Sequence, residues 1–488
     1  MSNKKKQYLY LLDYSIFTLF CFILFFKANG VLNGNEVSGI FYSLFSRLGL
    51  QYLPSIFLYG HEPARGLVEL PFLFLGPNEF ILRLPSLIMA LISFWVIKKI
   101  VNLLTNNKLT TSIILLLYSV SGSVVLSRLT NGISGFILFT LLSVFYFLKF
   151  IKKENFGSLR KSLTFLFISI LFYVDGVFLL PGILLNLLIR YRKGIFKKEI
   201  VKPFLIFFLL VFLFVFFWAA IPYFAAENGF IIKDDLMEFG FFRILKRGGS
   251  SGFDLNILKT FTILSDYNHW LFSLTSLILF FSSFIFKKGR KLGIIILTPV
   301  VYFSIHSNPT IHILHFLPLL LISACFILEK IINKVPVIVI FLAFIVVVNL
   351  NFLTRFYFNS KNQVWTWGYY LNSNVFKAAG FIIRQNSSCE EKIFSNMDAF
   401  ETLFYTGLPD KKNIKISSYA LIYNDKLTDS KFAYNYKLID SFGNYINLYS
   451  EDKMEISSLN VDTLKNKYLK TYNKSSDIFP NIKCQNYR

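Results

Sequence analysis

Apolar runs separated by short polar breaks dominate the first 353 residues. They cover roughly 8–26, 80–97, 111–127, 132–148, 163–174, 176–189, 203–224, 269–286, 292–306, 312–328 and 335–353. About 20 apolar residues carry a helix across about 30 Å of hydrocarbon. The pattern therefore predicts an all-α polytopic membrane bundle of about eleven transmembrane helices. The runs 163–174 and 176–189 are short for that thickness. Asp175-Gly176 between them predicts a tight hairpin or a re-entrant feature, or else both runs join as one tilted span. Beyond Phe352 the pattern changes. Residues 354–488 have no membrane-length run and are rich in Asn, Ser, Tyr and Lys. NVFKAAGFIIRQN reads as an amphipathic helix. EKIFSN, SYALIYN, FAYNYKLID and YINLYS read as strands, with aromatic and β-branched residues bounded by polar clusters. A small α/β or α+β domain is expected there, after a membrane domain spanning 1–353.

Charge orients the bundle. With the N-terminus inside and eleven spans, the predicted inner loops collect Lys98, Lys99 and Lys108, then Lys149, Lys152, Lys153, Arg160 and Lys161. They also collect the basic cluster from Arg190 to Lys202, then Lys287, Lys288, Arg290 and Lys291. The short outer connections carry few cations, which fits the positive-inside rule. A ten-span count would put the later clusters outside. The two long connections, 29–79 and 225–268, and residues 354–488 are then extracytoplasmic, and the protein is placed in the cytoplasmic (inner) membrane. FGFFRILKRGG in the second loop reads as an interfacial helix. GGSSG at 248–252 lacks the GK[ST] of a phosphate-binding P-loop.

Composition agrees with the pattern. Of 488 residues, 54% are hydrophobic and 16% charged, with 58 Phe and a formal net charge of +23. Because the basic residues sit in short loops, topology and anionic lipid account for them, and nucleic-acid binding is excluded as a function class. Cys21 and Cys325 fall in apolar runs and read as small core residues. Cys389 and Cys484 fall in the polar part. They form a disulfide if it is extracytoplasmic, or remain two unrelated thiols.

Chemistry-bearing residues crowd the expected outer face. The first loop carries Glu36, His61, Glu62, Arg65, Glu69, Glu79 and Arg83. His269, His306, His312 and His315 all fall at or near the same face. His312 and His315 are three apart at a helix start and share a side. They read as phosphate contacts or as interfacial hydrogen bonders. A divalent metal stays open, although no HxxxH or compact carboxylate–His cluster appears. Arg128 either grips a phosphate with paired donors or snorkels to the headgroups. Glu36 is either an acceptor-activating carboxylate or a solvated loop residue. A transporter is disfavoured, because the polar residues gather at one face rather than the midplane and no inverted repeat of broken helices is seen.

In order along the chain, NGNEVSG (33–39), GHEPARG (60–66), EFILRLPS (79–86), SRLTNG (127–132) and HILHFLPLL (312–320) resemble the GT-C superfamily of membrane glycosyltransferases. More specifically, they resemble the family 39/83 group of protein O-mannosyltransferases and aminoarabinose transferases. The resemblance covers roughly 8–355, and EFILRLPS is its most specific part. It implies a sugar donor linked to polyprenyl phosphate and an inverting transfer to a lipid, glycan or protein acceptor outside. The resemblance makes His61, Glu62, Arg65, Arg128, His306, His312 and His315 substrate-binding residues. Asn35 stands where the family has its catalytic aspartate, and Glu36 beside it is the remaining carboxylate. The alternative is a GT-C-like protein that binds lipid-linked glycan without turnover.

Overall fold

The computed structural model describes residues 3–26, 28, 63–73, 75, 79–128, 131–228, 241–242, 258–305, 312–332, 336–355 and 383, with strand residues 393–395, 419–423, 436–442 and 446–451. By its internal contacts the chain separates into two units. One comprises Met1–Phe26, Phe45–Val68 and Arg83–Phe356; the other comprises Lys27–Leu44, Glu69–Leu82 and Tyr357–Arg488.

The helices follow the apolar runs. They are α1 (Asn3–Phe25), α2 (Ala64–Leu73), α3 (Glu79–Leu104), α4 (Lys108–Ser119), α5 (Gly122–Ser127), α6 (Asn131–Lys153), α7 (Phe156–Phe172) and α8 (Leu180–Tyr191). Then come α9 (Lys198–Glu227), α10 (Lys259–Tyr267), α11 (Trp270–Ser282), α12 (Lys287–Ile305), α13 (Ile313–Ser323), α14 (Cys325–Ile331) and α15 (Pro336–Leu353). Among the described residues, six segments are long and apolar enough to cross a membrane: Gln7–Phe25, Glu79–Leu104, Gly132–Lys153, Val174–Tyr191, Lys198–Glu227 and Ile313–Ile331. The protein is an integral membrane protein.

Two runs that read as unbroken are interrupted. The run 111–127 breaks at Val120 and Ser121 into α4 and α5. The carbonyl of Val120, freed at the break, accepts from Asn349 Nδ2 at 2.6 Å. The Gly122 amide donates to Asn268 Oδ1 at 2.8 Å. A backbone group in hydrocarbon needs a partner, and these two asparagines supply it. The second interruption, at Ala324, divides α13 from α14. For residues 163–189, a single tilted span is not what forms. α7 stops at Phe172, Tyr173 is extended (φ −153°, ψ 125°), and a 3-10 turn, Val174–Leu179, leads into α8. The two halves take different neighbours: α7 packs on α6 and α9, and α8 on α12.

At the centre of the first unit is α13. All 11 of its residues are buried, as a helix apolar on every side requires. It touches α4, α5, α6, α10, α11 and α12. The α6–α7 pair is close because Gly135 leaves room for the Phe172 ring. Ser162 Oγ donates to the Ser143 carbonyl at 2.9 Å across the same pair. α9 presents Leu205, Phe208, Leu209, Phe212 and Phe216 outward, the side a bilayer would cover.

In the second unit four strands form one sheet in the order β1-β2-β4-β3: β1 (Ile393–Ser395), β2 (Tyr419–Tyr423), β3 (Tyr436–Phe442) and β4 (Ile446–Glu451). β1 runs parallel to β2, and the other neighbours are antiparallel. The register slips between Leu438 and Asp440. β1 and β2 lie inside segments that their residue types mark as strand, while β3 and β4 overlap theirs and run on to Phe442 and Glu451.

Candidate functional site

One cluster of polar side chains forms where α2, α6, α7 and α13 meet. It starts from the break after α7. Gly176 is tight against Ser169, where an added Cβ would lie 2.5 Å from Oγ, so the chain turns sharply and Asp175 points back inward, 6% exposed. His312 sits at the cap of α13, and its Nδ1 meets Asp175 Oδ2. The His315 ring lies one turn further on and stacks against His312, with centroids 5.3 Å apart and planes at 20°. Tyr173 closes the group. Its ring centroid is 5.3 Å from that of His312 and 4.8 Å from that of His315.

The cation comes from α2. Arg65 is 4% exposed and lays its guanidinium over Tyr173, Cζ to centroid 4.0 Å. Its Nε donates to the Phe172 carbonyl at 3.4 Å, one of the groups freed by the end of α7. Gly132, at the start of α6, makes this approach feasible, because a Cβ there would meet Arg65 Cζ at 2.8 Å. Phe136, one turn along α6, packs on His315 at 5.6 Å and on Tyr173 at 5.9 Å. His315 is buried, and neither ring nitrogen has a hydrogen-bond partner. A buried polar group in that state is costly unless a ligand completes it.

The arrangement brings together three residues expected from sequence: Arg65, His312 and His315. Arg128 takes another position. It is 1% exposed and donates from Nη1 to the Phe26 carbonyl at the end of α1. Snorkelling to the headgroups is ruled out by that burial, and a cation at a helix C-terminus complements its dipole. His269 caps α11, accepting from the Leu271 amide through Nδ1 at 3.3 Å. Asn35, Glu36, His61, Glu62, His306, Cys389 and Cys484 lie outside the described residues, as do most of the expected interfacial segment FGFFRILKRGG and all but Ile383 of NVFKAAGFIIRQN. Among the described residues no group of three or more His, Cys, Asp or Glu could hold a metal ion.

Sequence reasoning used Asp175 only as a chain break. Yet an acidic residue between two apolar runs is a functional signal by itself, because a lone charge at membrane depth is expensive. Tyr173 offered no such signal, since 26 tyrosines are spread along the chain.

The fold has known counterparts. The aminoarabinose transferase ArnT from Cupriavidus metallidurans in the apo state superposes with a TM-score of 0.62 at 11% identity, over 92% of this chain and 98% of that one. The same protein bound to undecaprenyl phosphate gives 0.60 at 12% identity over the same shares. The dolichyl-phosphate-mannose-protein mannosyltransferase family model matches residues 67–218. No curated protein sequence matches the chain. The chain thus has the fold of the GT-C membrane glycosyltransferases. Within that class its likeness is to the protein O-mannosyltransferase and aminoarabinose transferase type, as the order of loop motifs implies.

Proposed function

We propose that the protein transfers a sugar from a polyprenyl-phosphate carrier to a lipid, glycan or protein acceptor on the extracytoplasmic side, with inversion. The observation that carries this reading is the convergence of Arg65, Tyr173, Asp175, His312 and His315 at one end of a GT-C bundle. The acceptor oxygen attacks the anomeric carbon, the bond to the carrier phosphate breaks, and polyprenyl phosphate leaves. The departing anion needs positioned donors. Arg65 supplies a fixed cation. Asp175 accepts from His312 Nδ1–H and stabilises the ring as imidazolium, whose Nε2–H donates to a phosphate oxygen. His315 supplies a second imidazole beside it. Glu36 takes the acceptor proton in place of the family aspartate, whose position Asn35 occupies. Arg128 holds the carbonyl end of α1. In this reading the N-terminus is cytoplasmic and residues 354–488 form an extracytoplasmic domain.

Purified protein in lipid, given a sugar-loaded carrier, is expected to release free polyprenyl phosphate. Glu36→Gln, Arg65→Ala and His312→Ala should each lower that release by at least about tenfold. Full activity in all three would refute the assignment.

Asn35 favours a second reading, in which the same site holds lipid-linked glycan without turnover. A titration of the carrier then shows saturable binding with no release, and Asn35→Asp does not restore transfer.

A further inference from the structure

Away from this cluster, the bundle carries a second polar group built on an acidic residue inside an apolar helix. Asp13 lies in α1, about 20 Å along its axis from the Phe26 carbonyl that Arg128 holds. Lys98 Nζ donates to its Oδ2 at 2.7 Å, and Ser112 Oγ donates to its Oδ1 at 2.7 Å. Two cavities meet at this residue. One, of about 530 Å³, runs between α1, α3 and α4 along Leu11, Tyr14, Phe17, Phe94, Trp95 and Leu115. The other, of about 360 Å³, is lined by Asn102, Thr105, Asn106, Lys108 and Thr111. Tyr10, Asp13 and Lys98 line both. Each volume is within the usual range of small-molecule sites, about 300–1,000 Å³. An apolar trough joined end to end with a polar cup has the shape of an acyl chain with its headgroup.

We infer that this groove is a binding site for one membrane phospholipid with a monoanionic headgroup. The phosphodiester lies in the cup on Lys98 and Lys108, and an acyl chain lies along Phe17, Phe94 and Leu115. Charge selects the headgroup. Two lysines and one aspartate leave a single positive charge, which one phosphodiester neutralises. A zwitterionic lipid would also bring an ammonium, but both oxygens of Asp13 already accept from the protein. α4 begins at Lys108, so the positive end of its dipole adds to the preference for an anion. Tyr8, Tyr10, Tyr14 and Trp95 are exposed around the groove, as aromatic side chains at a headgroup level are. The groove lies among the cationic loops assigned to the cytoplasmic side, whose leaflet is rich in anionic lipid.

The test is native mass spectrometry of the full-length protein in detergent, titrated with phosphatidylglycerol or with phosphatidylcholine of the same chains. No sugar donor is present, so the outcome is independent of any transferase activity. One phosphatidylglycerol should bind saturably, at least about tenfold more tightly than phosphatidylcholine. Lys98→Ala with Lys108→Ala should abolish the preference. Leu11→Trp, at an exposed position in the trough, should weaken both lipids while leaving the melting temperature unchanged. Lys152→Ala with Lys153→Ala, which removes two cations outside the groove, should change nothing. Equal binding of the two lipids, or a preference that survives the Lys98/Lys108 pair, would overturn the assignment.

Discussion

At the scale of single residues, the site depends on a missing methyl group. Gly132→Ala places its Cβ on the Arg65 guanidinium, which can move because it ends a flexible side chain. The helix should survive with little loss of stability, while Arg65 is pushed from Tyr173. We expect near-normal thermal denaturation and a fall in polyprenyl-phosphate release close to that of Arg65→Ala. Asp175→Asn tests the other half of the cluster. It keeps the side chain's shape and removes the charge that holds His312, so release should drop by about tenfold or more while protein yield is retained. Much of this cluster was legible beforehand. Arg65 in GHEPARG and the His312/His315 spacing could be read directly, because cations and imidazoles are rare in an apolar chain. Tyr173 could not, since its role comes from the end of α7 meeting α2 and α13, which no local pattern encodes. Arg128 was legible as an intramembrane cation but not as a clamp on α1, because its partner is a backbone carbonyl 102 residues away in the chain.

At the scale of elements, breaks matter more than helices. The apolar runs are readable because a span needs length and hydropathy. The interruption after Tyr173 is announced by Asp175-Gly176, but those at Val120 and Ala324 carry no local signal, and the carbonyl freed at Val120 is satisfied from far along the chain. Asn349 on α15 is that partner. Its Nδ2 donates to Val120, and its Oδ1 accepts from the His269 amide at 2.7 Å. Asn349→Ala leaves a carbonyl and an amide buried without those partners. It should cost about 1–3 kcal/mol, seen as a lower melting temperature in detergent. Gly122→Ala should be worse than Gly194→Ala. A Cβ at Gly122 meets the Tyr267 backbone carbonyl, which cannot rotate away, whereas at Gly194 the nearest atom is 3.6 Å off. The same comparison separates backbone crowding from a general intolerance of substitution in this membrane domain.

At the scale of the whole molecule, topology is the main expectation. The helix ends that the charge rule assigns outside (the ends of α1 and α7 and the starts of α6 and α13) are those that carry the contacts of Arg128, Arg65 and the histidines. The ends assigned inside carry Asp13–Lys98 and Arg190–Glu154. A single cysteine at Asn228, in a cysteine-free background, should react with an impermeant thiol reagent in intact cells. One at Lys153 should react only after the membrane is opened. The reverse result would invert the assignment of the site to the outer face. The membrane part was readable over most of its length because hydrocarbon demands long apolar runs. The four strands were readable for a different reason, their β-branched and aromatic residues between polar clusters.

The complete burial of α13 also sets an order in time. Apart from α14, the helices it touches most, α4, α5, α6, α10, α11 and α12, all precede it on the ribosome. The place that residues 313–323 fill among them is therefore completed only after all six have been made. A nascent chain halted before Ile313 would lack the apolar helix on which six others pack. The arrival of this one helix, with His312 at its cap and His315 in its first turn, is the step at which the bundle can close.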